Sequence, residues 1–185
     1  AFAPVRGDTT SPFAIAPELA LIRDAVARRV PVIGHCLGGQ LLAKALGGVV
    51  RANPVKEIGW HRVDLEDTPL AREWFGTASP AFTTFQWHGE AFTLPPGGER
   101  ILRGEHCANQ AYVLHDRHIG MQCHVEMTPD LIASWCDNGA AEIAASDSPG
   151  VQSPGTIRAE IAERITPLHR LADKIYSRWI QGLSR

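Results

Sequence analysis

Two short stretches of this chain hold residue types that do chemistry in concert. Gly34-His35-Cys36-Leu37-Gly38 has the form G-x-C-x-G between an apolar run and a helical pattern, and Gln122-Cys123-His124-Val125-Glu126 closes another apolar run. A cysteine on a sharp strand-to-helix turn is the thiol version of a nucleophile elbow. The turn projects the side chain from the sheet, the flanking glycines keep other side chains clear, and the positive end of the following helix favours a thiolate. The N–H of Leu37, next after the sulfur, is placed to bind an oxyanion. In an extended chain residues two apart share a face, so His124 and Glu126 can act as a unit. The imidazole takes a thiol proton, and the carboxylate orients the ring and stabilises its charge. Each stretch alone has a plainer reading: a buried cysteine in a Gly-rich turn, or a strand end with an exposed His–Glu pair. Together, in the order Cys, His, Glu, they describe covalent catalysis at a carbonyl carbon.

The run-on past the elbow adds a pattern. Cys36, Gly38 and Gln40 match C-x-G-x-Q, and Gln122, His124 and Glu126 match Q-F-H-P-E with Cys123 and Val125 in the two remaining places. Glu57-Ile58-Gly59-Trp60, Gln86-Trp87-His88-Gly89-Glu90 and Asn109-Gln110-Ala111-Tyr112 supply three supporting segments. On these residues the chain resembles the class I glutamine amidotransferases, in particular their stand-alone, GMP-synthase-like members, over roughly residues 14 to 180. The resemblance implies a doubly wound, mostly parallel α/β sheet flanked by helices, of the flavodoxin-like type, in a single domain covering residues 1–185. It also implies roles. Cys36 attacks the glutamine side-chain amide, His124 moves the proton, Glu126 orients His124, and Gln40 with the backbone around His88 and Gly89 holds the substrate. Ammonia leaves for an acceptor handled by a separate synthetase subunit, since the chain has no P-loop. No cofactor and no metal are implied.

The elements that must position these residues follow from periodicity. Residues 1–16 are rich in Pro, Thr and Ser and read as a loop. Pro17 opens a helix to about Arg29, with Leu19, Ile22, Val26 and Val30 on one face. Pro31 to Gly34 reads as a buried parallel strand and Leu41 to Leu46 as a helix ended by Gly47-Gly48. Strands are expected at Gly59–Leu65, Ala81–Trp87, Arg100–Gly104, Ala111–His115 and Ile119–His124. A short helix is expected at Thr68–Phe75 and a further helix at Thr128–Ala145, capped by Thr128 with Pro129 at its first position. Residues 146–155 read as a linker or mobile loop, and 156–183 as a closing amphipathic helix striped by Ile161, Ile165, Leu168, Leu171, Ile175 and Trp179.

Bulk properties narrow the partners. At 185 residues with 44% hydrophobic and 21% charged residues, the chain has the make-up of one globular domain. A formal net charge of −2 leaves no basic field for nucleic acid. No apolar run approaches a membrane span, and no export signal opens the chain. Cys36, Cys107, Cys123 and Cys136 form no C-x-x-C pair and read as free thiols in a reducing cytoplasm. His115 and His118 are too few for a metal site, and Trp60, Trp74, Trp87 and Trp135 read as packing. The family's early strands, with a Gly-Gly turn that supplies a second oxyanion donor, have no counterpart, and Gly7 lacks the context to replace it. The expectation is therefore a chain numbered from inside a longer protein.

Other readings stay open. The same three residues serve a hydrolase of other γ-glutamyl compounds. A cysteine α/β-hydrolase for esters shares the elbow, but it expects an acid ahead of a lone late histidine. A non-catalytic binding domain shares the fold alone.

Overall fold

The computed structural model describes residues 15–76 and 79–183, so most of the stretch read as an opening loop, Gly7 included, lies outside the described residues. In chain order the elements are α1 (Ala16–Ala27), β1 (Ile33–His35), α2 (Leu37–Ala45), β2 (Val50–Leu65), α3 (Pro69–Phe75), β3 (Ala81–Phe92), β4 (Glu99–Gly104), β5 (Ala111–Leu114), β6 (His118–Met121), α4 (Pro129–Asn138), α5 (Ala140–Ala144) and α6 (Pro154–Gln181). The strands form one sheet in the order β1-β6-β5-β4-β2-β3. The α/β class with flanking helices stands. Among the described residues the sheet is mixed: β1 and β6 run parallel, and every other pairing is antiparallel. The helix–strand–turn–helix around Cys36 is the doubly wound part. The middle of the chain instead alternates as half-covered strands do, and short connections join such strands antiparallel.

Alternation along β5 assigns two cores to the two faces. Ala111 and Val113 belong to a large cluster with Trp60, Trp74, Phe85 and Ile175. Tyr112, between them, points to a smaller one with Leu42 and Phe92. α6 covers the first face and buries Ile157, Leu168, Leu171, Ala172 and Ile175. Arg178 anchors it, lying 5.4 Å over the Trp74 ring and 2.6 Å from Glu73 Oε1. α1 has no fully buried residue, and Val30, expected on its face, falls past its end and is exposed.

Three local departures matter for the site. β6 ends at Met121, so His124 is not on it. His124 joins β3 instead through an antiparallel bridge with Phe85, its N–H donating to Phe85 O at 2.8 Å. The helix expected over 128–145 is broken at Gly139, where a Cβ would stand 2.2 Å from the Trp87 ring. Residues 146–155 lie along the side of β2 that β4 leaves open. Ile58 N–H donates to Gly150 O at 2.9 Å, and Gln152 N–H donates to Ile58 O at 3.0 Å. The Gln152 side-chain amide closes the ladder on Trp60, accepting from its N–H at 2.8 Å and donating to its carbonyl at 2.9 Å. Gly59 makes room for that amide at φ +113°, a conformation that glycine tolerates. No described helix is long and apolar enough to cross a membrane, and the four cysteines are free.

Candidate active site

Cys36 stands between β1 and α2 with φ +47° and ψ −105°, a strained backbone for a residue with a Cβ. Two features hold it there. The Cys36 N–H donates to Met121 O at 2.8 Å, which ties the elbow to β6, and Gln40 N–H donates to Cys36 O at 2.9 Å, the first helical bond of α2. The glycines act differently from the simple expectation of two clear flanks. A Cβ on Gly34 would lie 2.4 Å from the Gly38 carbonyl carbon, and one on Gly39 would lie 2.4 Å from Met121 O. A Cβ on Gly38 would meet nothing within 4 Å. Gly34 and Gly39 therefore permit the close backbone approach, and Gly38 is not required for it. Leu37 is the first residue of α2, so its N–H is among the helix-start donors without an intrahelical acceptor.

The thiol sits among polar neighbours. Cys36 Sγ donates to Trp87 O at 3.8 Å and accepts from Gln122 Nε2 at 3.5 Å. Gln40 in turn donates to Gln122 Oε1 at 3.2 Å and to Glu90 O at 3.0 Å. Both N–H bonds of Gln40 are thus engaged in holding the groups that hold the thiol, although the residue lines the cavity as expected.

The surroundings of His124 are assembled across chain segments. His124 Nδ1 lies 2.5 Å from Glu126 Oε1, and Val125 N–H donates to Glu126 Oε2 at 2.9 Å. With Nδ1 engaged by Glu126, Nε2 is the nitrogen left to exchange a proton with Cys36. That nitrogen is buried without a hydrogen bond of ordinary geometry, and the Cys36 thiol lies near enough to bias its protonation. The Trp135 ring stands edge-on to the imidazole at 5.1 Å. Two groups missed in the sequence support the carboxylate. His35 Nδ1 lies 3.3 Å from Glu126 Oε2, short of hydrogen-bond angles, and Tyr176 OH on α6 meets His35 Nε2 at 3.0 Å.

Electrostatics follow from this packing. Burial alone disfavours a charge on His124, but the hydrogen bonds and charges of Cys36 and Glu126 outweigh it and raise the group to about 9. Burial likewise opposes charge on Glu126, and the His124 contact overrides it, so that carboxyl titrates lower than usual. Burial dominates at His35 and lowers its value, which keeps the ring neutral. The consequence for stability has a definite sign. His124 binds its proton more tightly folded than unfolded, where its ordinary value is 6.5. The stability this contributes is complete below pH 6.5 and is lost as the pH climbs through 9. Thermal melts should therefore show Tm falling by roughly 5 °C between those limits, and the fall should shrink in His124→Gln.

His88 and Gly89 lie in the second half of β3. The His88 ring is engaged inward, with Nε2 3.0 Å from Glu57 Oε2 and Nδ1 3.0 Å from Glu90 O. Both ring nitrogens are thereby engaged by oxygen atoms. Gln110 Nε2 also donates to Glu57 Oε2 at 3.0 Å, and Gln86 Nε2 donates to Gln110 Oε1 at 3.0 Å. The His88 ring thus belongs to a buried polar ladder, and both His88 and Gly89 line the cavity. Glu57, His88 and Cys107 bring donor atoms within 4.8 Å of one another, a spacing a metal ion could use. The carboxylate is already engaged by the Gln110 amide and the His88 ring, and burial, with Glu57 nearby, pushes the Cys107 thiol up to about 12. The set is a hydrogen-bonded core, not an open coordination site.

One cavity of about 450 Å³ gathers Cys36, Leu37, Gln40, His88, Gly89, His124 and Glu126, every site residue expected from the sequence. It is also lined by His35, Lys56, Trp135 and Glu142, which the sequence did not single out. Tyr176 and Glu142 offered no signal, since neither lies in a motif. Lys56 was hidden as the neighbour of Glu57, and Trp135 reads as packing in any helix.

Fold and site together place the chain among α/β proteins built around a cysteine elbow. Within that class it belongs to the class-I glutamine amidotransferases, whose family model, "Glutamine amidotransferase class-I", matches residues 7–140. It is 39% identical over 102 residues to one subunit of the glutamine-hydrolyzing GMP synthase of Sulfolobus acidocaldarius, covering 53% of this chain and 52% of that protein. Its fold is similar to the crystal structure of a glutamine amido transferase from Methylobacillus flagellatus, with TM-score 0.91 and 51% identity, over 95% of this chain and 73% of that one. A glutamine amidotransferase from Thermotoga maritima gives TM-score 0.83 at 26% identity, over 98% and 75%. The chain spans about half the length of the curated relatives it matches.

Proposed function

We propose that this chain hydrolyses the side-chain amide of glutamine through a γ-glutamyl thioester on Cys36. The observation that carries the reading is the shared cavity, in which a thiol on a strained elbow lies beside the open nitrogen of His124, itself held by Glu126. Cys36 Sγ, its proton held by His124 Nε2, attacks the amide carbon. The oxyanion forms against the Leu37 N–H at the start of α2. His124 then delivers the proton to the departing nitrogen, and ammonia leaves. Water, deprotonated by the same nitrogen, opens the thioester to glutamate and restores the thiol. The elevated proton affinity of His124 suits this task, because the ring must keep the proton while the sulfur attacks. Glu126 stabilises the imidazolium in each half-reaction.

The likeness to a separate GMP synthase subunit supports a division of labour, with ammonia passed to a synthetase on another chain. Free thiols throughout the described chain suit a reducing cytoplasm. A glutamine-like diazo-ketone should modify Cys36 alone, read by mass spectrometry of the labelled peptides. Labelling spread over Cys107, Cys123 and Cys136, or absent altogether, would move the chain to a binding role.

A further inference from the structure

The cavity beside Cys36 has a charged end that the Cys–His–Glu chemistry does not use. Lys56 on β2 and Glu142 on α5 both line it, and they form an ion pair with Nζ 2.8 Å from Oε1. Their side chains keep 34% and 39% of their surface open to solvent, so the pair is within reach of a ligand. Trp87 connects this pair to the nucleophile. Its carbonyl lies 3.8 Å from Cys36 Sγ, and its indole Nε1 donates to Glu142 Oε2 at 3.1 Å. A single residue therefore spans from the reacting sulfur to the carboxylate. The Lys56 stem runs over Gly89, where a Cβ would stand 3.3 Å from Cε. The Lys56 backbone is held from behind by Ser148 Oγ, which donates to its carbonyl at 2.8 Å.

A γ-glutamyl group has complementary chemistry. A short methylene chain separates its reacting carbonyl from a carbon that bears an ammonium and a carboxylate. We infer that Lys56 and Glu142 read this head, Lys56 taking the α-carboxylate and Glu142 the α-ammonium. The inference rests on the reading of the cavity as the site of γ-glutamyl amide hydrolysis, and it names the substrate class: γ-glutamyl compounds with a free amino-acid head. The exchange is balanced, because each charge of the pair trades one opposite partner for another and none is left buried alone. A solvent-exposed pair of this kind adds little to folding, so opening it for a ligand is cheap. Nα-acylation removes the ammonium, and α-esterification removes the carboxylate; each deletes one half of the match.

The test compares kcat/KM for ammonia release from L-glutamine, Nα-acetyl-L-glutamine and L-glutamine α-methyl ester in the wild type, Glu142→Gln and Lys56→Met. The amide introduced by Glu142→Gln keeps an acceptor for the Trp87 indole, and the methionine of Lys56→Met keeps an apolar stem over Gly89. Glu142→Gln should lower kcat/KM for L-glutamine by roughly 10- to 100-fold, mostly through KM, and leave the Nα-acetyl compound unchanged. Lys56→Met should do the same against the α-methyl ester. Equal losses on all three substrates, or no loss, would overturn the assignment. Calorimetric binding of the same compounds to Cys36→Ala reads head-group selection without turnover. Selection there, with no ammonia released by the wild type, would overturn the hydrolase reading and keep the head-group site. Turnover without selection would overturn the head-group site alone, and no binding of any of the three would overturn both.

Discussion

Cys36→Ala should abolish ammonia release from glutamine, lowering kcat by about 10⁴-fold or more, because no other described thiol shares the cavity with His124. Cys107 and Cys123 are buried, and burial pushes each up to about 12, so neither supplies a thiolate in its place. The fold should survive, since the main-chain bonds to Met121 O and from Gln40 N–H do not involve the sulfur. A steady-state ammonia assay beside a circular-dichroism melt separates the two effects. A companion substitution reads the strain. Cys36→Gly should be equally inactive yet more stable, by about 1 kcal/mol, because glycine adopts φ +47° without the clash that a Cβ brings. Retained turnover in either variant would place the nucleophile elsewhere. An unchanged or lower Tm in Cys36→Gly would mean the elbow is not strained.

The second large effect concerns packing rather than chemistry. Gly39→Val should destabilise the protein by about 3 kcal/mol or more, with much of the variant insoluble. A Cβ at Gly39 would sit 2.4 Å from Met121 O and 2.9 Å from Met121 N, so α2 would have to lift off β6. Neither neighbour is a side chain that could rotate away. Lifting α2 would also move Cys36, because the helix begins one residue later. The control is its neighbour. Gly38→Ala places a methyl in open space in the first turn of the same helix, and should raise stability by about 0.5 kcal/mol through better helix propensity. Denaturant melts of the three proteins test the pair of outcomes. Comparable losses at positions 38 and 39 would show that the elbow needs both glycines for a reason other than close approach.

The site was legible to the degree that its parts are local. G-x-C-x-G announces a strand, a turn and a helix because those states make demands on consecutive residues: no Cβ at Gly34, a tight reversal at Cys36, and helical bonding from Gln40 onward. Thr128 was readable as a cap for the same reason, and it accepts the N–H three residues ahead. The Gly139 break was not readable. A lone glycine in a helical pattern is ordinary, and what makes this one necessary is the Trp87 ring, contributed from a distant strand. The segment 146–155 looked like a linker because its composition suits one, whereas its role depends on a stretch of β2 that, among the described residues, has no other strand on that side. His88 was legible as part of the site but not in its orientation. Its ring belongs to the ladder of Glu57, Gln110 and Gln86, and only the register of β2 on β3, with Glu57 opposite His88, brings that about.

Residue types and their local order were enough to propose a thiol with its ring and carboxylate, and to expect an α/β sheet beneath them, since bond geometry and helix polarity act over a few residues. Assembly decided the rest. The bridge between His124 and Phe85 that aims the imidazole, the Tyr176–His35 contact behind Glu126, and the meeting of Lys56 with Glu142 all join segments far apart in the chain. Contacts of that kind depend on strand register and helix docking, which the whole core determines at once and no single stretch encodes.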